Sequence, residues 1–285
     1  MRKHYSTSLL KQSGIAGMLL SLSACGIGSD IANDMGNALG AGIACALTNC
    51  KDSADVSLQD ISMHFIVTQR NGVVQVDGGL GQSANLLTVV RPSGGDQLSA
   101  SSNGQTVMLS DIDGTRYKYR AQIPDASVQP VVTVNFIRAG TAYPNMVTLP
   151  AVFSIVNPAG PVTLARSAGK LRVQFSRSMP DNVAVGVTMK CTRYDGSSFN
   201  EQSDLPYKLD PDAYRIDTLD LDRALNARSV AANNNNANTA LVSYCDLELI
   251  WTNYTTGTTH PSLNKYSNIR GQRSASHQVF YDARI

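Results

Sequence analysis

Five aspartates, Asp210, Asp212, Asp217, Asp220 and Asp222, form the densest group of side chains able to do chemistry. Hard cations prefer several oxygen ligands, which makes Asp210, Asp212 and Asp217 candidate metal ligands. Asp210, Asp212, Asp217 and Asp220 are equally the carboxylates a hydrolase would draw on for acid and base work. The plainer alternatives are charge spread over a solvated surface and Asp217 capping a helix N-terminus. Asp111-Ile-Asp113-Gly114 has the opening spacing of a calcium loop, but the remaining ligands are missing, and a turn between Leu109 and Tyr117 accounts for it better. No G-x-S-x-G elbow, H-E-x-x-H helix, phosphate-binding loop or dinucleotide fingerprint occurs. His64 reads as an exposed position on a half-buried strand, His260 as a loop residue before Pro261, and His277 as a packed or hydrogen-bonded residue. Tyr194, Phe199, Tyr207, Tyr214, Tyr254 and Tyr266 fall in or near expected loops, where rigid amphipathic rings are the usual material of a binding surface.

The first residues are of another kind. Arg2, Lys3, His4 and Lys11 make a basic start, and Ile15 to Leu22 is an apolar core of export-signal length, too short to span a bilayer. It ends in Leu22-Ser23-Ala24-Cys25, which resembles the lipobox of bacterial lipoproteins. That resemblance implies that residues 1–24 are removed, that Cys25 is acylated, and that the chain is anchored to a membrane without crossing it. Gly26 and Ile27 stand where an inner-membrane retention aspartate would be, which favours the outer membrane, with the side facing periplasm or surface left open. Giving Cys25 to lipid leaves Cys45, Cys50, Cys191 and Cys245, an even set for an oxidising compartment. Three pairings are possible; Cys45 with Cys50 and Cys191 with Cys245 keep each bridge within one segment. A zinc site is disfavoured, since no histidine lies beside a cysteine pair at ligand spacing.

These groups must be positioned by something, and the periodicities say what. From Gly26 to Thr48, apolar residues recur every four (Ile27, Ile31, Met35, Leu39, Ile43, Leu47) beside a small-residue seam, which predicts a helical spacer over 25–55 or a partly helical tether. After Asp55 the period becomes two. Met63, Phe65 and Val67 alternate with polar neighbours, and Asn71-Gly72, Asp77-Gly-Gly79 and Pro92-Ser-Gly-Gly95 punctuate the strands, so residues 56–150 read as a β-sandwich. Pro150 and Asn157–Pro161 frame a hinge or shared strand. A second sandwich follows over 151–285, with a short helix near 217–227 and a polar loop over Ala231–Asn238. Its inward phases hold Val183 to Cys191 and Leu241, Ser243, Cys245, Leu247, Leu249 and Trp251, so a Cys191–Cys245 bridge would cross or line the core.

The fold class expected is therefore all-β, two sandwiches after an N-terminal spacer. They resemble immunoglobulin-like domains in architecture only, because Trp251 follows the second cysteine and Ser243 takes the tyrosine-corner position. With 42% hydrophobic and 16% charged residues the chain can bury a core. Lys and Arg number 24 against 22 Asp and Glu, and the excess lies in the leader, which excludes a basic nucleic-acid binder. The expected role is a lipid-anchored envelope protein acting as a binding or structural module for an envelope protein or glycan, with no catalytic residue and no cofactor. The alternative is an envelope hydrolase acting on glycan or peptide through the loop aspartates.

Overall fold

Asn71 and Gly72 both take positive φ, 52° and 74°, the twist that lets a two-residue turn reverse a strand without splaying it. The turn joins Ile61–Arg70 to Val73–Gln82 in unbroken antiparallel register from Ile61↔Gln82 to Arg70↔Val73. These strands belong to a computed structural model that describes residues 49–83, 85–112, 114–178, 183–232 and 240–285. The lipobox with Cys25, the expected spacer through Thr48 with Cys45, Asp113 and most of the Ala231–Asn238 loop lie outside the described residues.

Met63, Phe65 and Val67 point to one side of this hairpin and meet Val132, Val134 and Phe136 of Val131–Arg138, all buried. That strand lies in a four-stranded antiparallel sheet ordered Thr141–Thr148, Val131–Arg138, Gln97–Ser102, Gln105–Met108. Two layers thus enclose the first core. Each fully buried aliphatic or aromatic side chain contributes about 1.5–3 kcal/mol relative to exposure.

Residues 49–55 differ from expectation. Asn49–Asp52 is a strand paired in parallel with Asn85–Arg91, and Ser53 is fully buried. Arg138 explains the difference: its guanidinium holds the Asp96 carboxylate at 2.6 Å and also donates to the carbonyls of Ser53 and Val56, drawing this segment onto the first lobe.

The second core is enclosed by Val183–Arg193, Ser198–Asp204, Val242–Thr256 and Asn268–Asp282 on one side. Ile155–Asn157, Lys170–Phe175, Ala213–Asp217 and Lys208–Asp210 form the other side, together with the helix Thr218–Ala231. The helix runs four residues beyond its expected end. Leu241, expected inside, is 54% exposed, because the ladder shifts between Thr192 and Arg193 and buries both Val242 and Ser243.

Cys191 and Cys245 are bridged. They sit directly opposite each other on adjacent antiparallel strands with Cα atoms 4.1 Å apart, so the bridge joins two strands of one sheet and does not cross to the facing layer. Cys50 is also disulfide-bonded.

The two lobes are not beads on a string. Val242–Thr256 and Asn268–Asp282 are each 15 residues, about 50 Å at 3.4 Å per residue, and stay paired from Tyr244↔Asp282 to Thr256↔Arg270. The near end of Asn268–Asp282 pairs in parallel with His64–Thr68, so one eleven-stranded sheet runs through both lobes among the described residues. Leu263 and Ile269 consequently belong to the first core.

At the junction the strands touch closely. A Cβ on Gly257 would lie 2.1 Å from the Met146 carbonyl oxygen, and one on Gly271 would lie 3.2 Å from Leu149 Cα. At Gly257 only glycine permits that approach, while at Gly271 a side chain would require the neighbours to give way by a few tenths of an ångström. Arg273 clasps the same place, donating to the Pro150 carbonyl at 2.6 Å, the Val128 carbonyl at 2.8 Å and the Gln69 side-chain oxygen. Among the described residues no helix is long and apolar enough to cross a membrane.

Candidate functional site

The five candidate aspartates gather on the small sheet of the second lobe and on the first turns of the helix that follows it. Asp210-Pro211-Asp212-Ala213 turns the chain so that Lys208–Asp210 pairs with Ala213–Asp217, which in turn pairs with Lys170–Phe175. This register places Lys208, Arg215 and Arg172 in one cross-strand row. Three like charges side by side are unfavourable, and the carboxylates answer them. Asp210 lies 2.9 Å from Arg215 Nη1 and 3.6 Å from Arg172 Nε, and Asp212 lies 2.5 Å from Arg172 Nη2. Asp217 is bound by Lys208 Nζ and lies 3.0 Å from Arg215 Nε.

Asp217 occupies the position before the helix Thr218–Ala231, but its carboxylate makes no capping bond to the helix amides. Cations claim it instead. Lys208 and Arg215 hold its carboxyl below the usual carboxylate range, and Asp217 in turn raises the Lys208 ammonium.

The helix start opens onto a cleft of about 460 Å³ lined by Arg166, Lys208, Asp217, Thr218, Asp220 and Arg223 among others. Asp220 lies 2.7 Å from Arg223 and 3.8 Å from Lys208. Asp222 points the other way, into the lobe, where it accepts from the Tyr281 hydroxyl and from Arg166 Nη2, both at 2.8 Å. Burial, reinforced by Asp222, pushes the Tyr281 hydroxyl far above its ordinary range. Each of the five aspartates therefore neutralises at least one neighbouring cation. Asp217, whose carboxyl is held below the usual range, is thereby a poor proton donor at neutral pH. Among the described residues no group of three or more metal-binding side chains converges. Asp111 accepts from the Arg116 backbone amide at 2.8 Å, as a turn-forming aspartate does.

The six aromatic candidates do not share one surface. Tyr207 and Tyr214 come together, half-buried with Phe175 around the fully buried Trp251, with ring centres 5.2–6.0 Å apart in tilted and edge-on contacts. Phe199 is buried beneath the guanidinium of Arg193, and Tyr254 lies on the long strand under Arg270. Tyr194 and Tyr266 alone of the six are well exposed, at 56% and 49%. The reason is periodicity: Phe199, Tyr207 and Tyr214 sit in or beside short strands whose alternation was too brief to register as strand.

Residues that sequence reasoning missed include Lys208, Arg215 and Arg166, which decide the state of the aspartates, and the junction clasp Arg273. The alternation of Lys208 and Asp210 with Arg215 and Asp217 around Asp210-Pro-Asp-Ala213 was a usable hairpin signal. Arg273 carried none, since its partners lie more than a hundred positions away.

No protein-family profile matches the chain, and no curated protein matches it. Among solved structures it is similar to the titin domains Z1Z2 in complex with telethonin at 12% identity, covering 80% of this chain and 100% of that one, with a TM-score of 0.21. It is also similar to CBD12 from CALX1.2 at 10% identity, covering 78% and 98%, with a TM-score of 0.19. Superposition scores this low carry no argument about function.

Proposed function

We propose that this chain is a lipid-anchored protein of the bacterial cell envelope, held at the membrane by Cys25, whose two immunoglobulin-like sandwich lobes serve as a binding or structural module. The lipobox-like Leu22-Ser23-Ala24-Cys25 supports the anchor. Two oxidised sites, Cys191–Cys245 and Cys50, support an oxidising compartment, with Cys45 the proposed partner of Cys50. The observation that carries the module over the hydrolase is the pairing of Asp210, Asp212, Asp217 and Asp220 with cations. Carboxylates engaged in these pairs are occupied in holding the small sheet and the helix start together, which favours a structural part for them over acid and base work. The partner reading is an envelope protein or glycan met at the exposed surface of the lobes.

The test begins with intact mass of the native protein, expected to show loss of residues 1–24 and the addition of acyl chains. Cys25→Ala leaves the membrane fraction or accumulates as precursor. A water-soluble mature protein beginning elsewhere ends the anchor reading. Screening the detergent-solubilised protein against peptidoglycan, polysaccharides and peptides tests the module: turnover abolished by Asp217→Asn replaces it with the hydrolase. Protease shaving of intact cells then decides which side of the outer membrane the lobes face.

A further inference from the structure

His277 lies in the middle of Asn268–Asp282, opposite Leu249 and on the core face of the second lobe. It is 8% exposed, and neither ring nitrogen has a hydrogen-bond partner among the described residues. A neutral imidazole tolerates such a place better than an imidazolium, which brings a full charge and a second N–H donor into the same apolar surroundings.

The neighbours offer that charge nothing. From the paired strand His277 faces Leu247, Leu249 and Trp251. On its own strand the same face carries Arg273 and Tyr281, each about 13 Å along. Arg273 is turned to Pro150, Val128 and Gln69, and Tyr281 is bound to Asp222, which Arg166 also holds. The segment Ala151–Pro161, part of which runs beside this strand, has no titratable side chain. The facing small sheet presents Leu171, Val173, Phe175, Ile216 and Tyr214 to the core. In keeping with this, burial alone depresses the imidazole below its ordinary value.

We propose that His277 is an acid-responsive element of the second lobe: the ring packs there only when neutral, and mild acid loosens the pair of long strands that it joins. The sign follows from linkage. With the folded-state value lowered, the unfolded chain takes up the proton more readily, so stability is full above about pH 6.5 and falls as pH drops below it. Burial also depresses His64, in the first lobe, but its ring has the Ser62 hydroxyl at 3.1 Å as a partner, and His260 accepts from the Ser262 amide at 3.2 Å; of these three, only His277 is left with both nitrogens unpartnered among the described residues.

The experiment is thermal unfolding of the intact, oxidised mature chain followed by fluorescence of Trp251, its single tryptophan, between about pH 7.5 and 5.5. The midpoint should fall by about 3 °C or more across that range in the parent protein. His277→Leu should remove a share of the fall that His64→Gln leaves in place, and His260→Gln should retain the whole of it. Proton NMR of the parent should show the His277 ring signal failing to titrate near pH 6.5 while the fold is intact. Free titration of His277 at its ordinary value in the folded protein overturns the proposal, as does an undiminished pH slope in His277→Leu. Should that variant not fold, His277→Gln and the NMR titration decide the matter.

Discussion

The first lobe is built largely on local hairpins, turned at Asn71-Gly72, Asn103-Gly104 and Ala139-Gly140, and takes in one distant strand, Asn268–Asp282, whereas the second is held by several ties between residues far apart in the chain. Cys191 reaches Cys245 across 54 positions, Arg166 and Tyr281 meet at Asp222, and Arg193 donates to the Ser229 hydroxyl near the end of the helix. The lesson is that two lobes of similar plan and joined sheet divide their stability differently. The first leans on turn geometry and alternation with Ser102–Asp125 and Arg138–Asp96 as its polar ties, while the second adds the Cys191–Cys245 cross-link and the Asp222 cluster.

The strongest way to break this comparison is to remove the bridge. Cys191→Ala with Cys245→Ala should cost the second lobe about 2–5 kcal/mol in denaturant unfolding read from Trp251 fluorescence. If far-ultraviolet circular dichroism moves together with fluorescence, the shared sheet makes the lobes one cooperative unit; a separate, unmoved transition would show that they unfold apart. Next comes the junction. Gly257→Ala drives a methyl group against the Met146 carbonyl and should cost about 1–3 kcal/mol, uncoupling the two signals if the strands part.

Acid offers a finer separation. In the first lobe Ser102 and Ser127 hold Asp125 below its ordinary value of 3.8, with the Ser102 hydroxyl 2.6 Å from its carboxylate. A depressed carboxylate contributes stability above that value and loses it as pH falls below. Burial depresses His64 of the first lobe as it does His277 of the second, so both lobes begin to weaken below about pH 6.5, and the Asp125 loss follows only below about pH 4; Asp125→Asn should flatten only that later loss in a pH series of denaturation midpoints. The smallest effect is at Ala139, which sits at φ 49° without the side-chain advantage of asparagine. Ala139→Asn should raise stability by about 0.5 kcal/mol in the same assay, and an unchanged midpoint would mean that the turn contributes little.

The same comparison explains what could be read in advance. Asn71-Gly72 and the alternation of Met63, Phe65 and Val67 are short-range signals, so the first sandwich was visible in the residues. Cys191 and Cys245 were legible as a pair because both keep the inward phase, though not that they would face each other within one sheet. Phase says which side a residue faces, not which strand lies next to it. The aspartates were visible as a group but their state was not, because Arg172 and Lys208 come from strands that only the folded register brings beside them. Tyr207 and Tyr214 were misplaced at the surface for the same reason.

The order of strands along the chain has a temporal side. Asn268–Asp282 is the last strand described, yet it is an interior member of the common sheet, flanked by Val242–Thr256 and by Ile61–Arg70. A chain emerging N-terminus first can form its early hairpins at once, but Ile61–Arg70 keeps a bare edge for some two hundred residues of synthesis. The first core lacks Leu263 and Ile269, and the second Val279 and Tyr281, until this last stretch of chain is made. That late final step makes loss of the last strand a lesion of both halves at once.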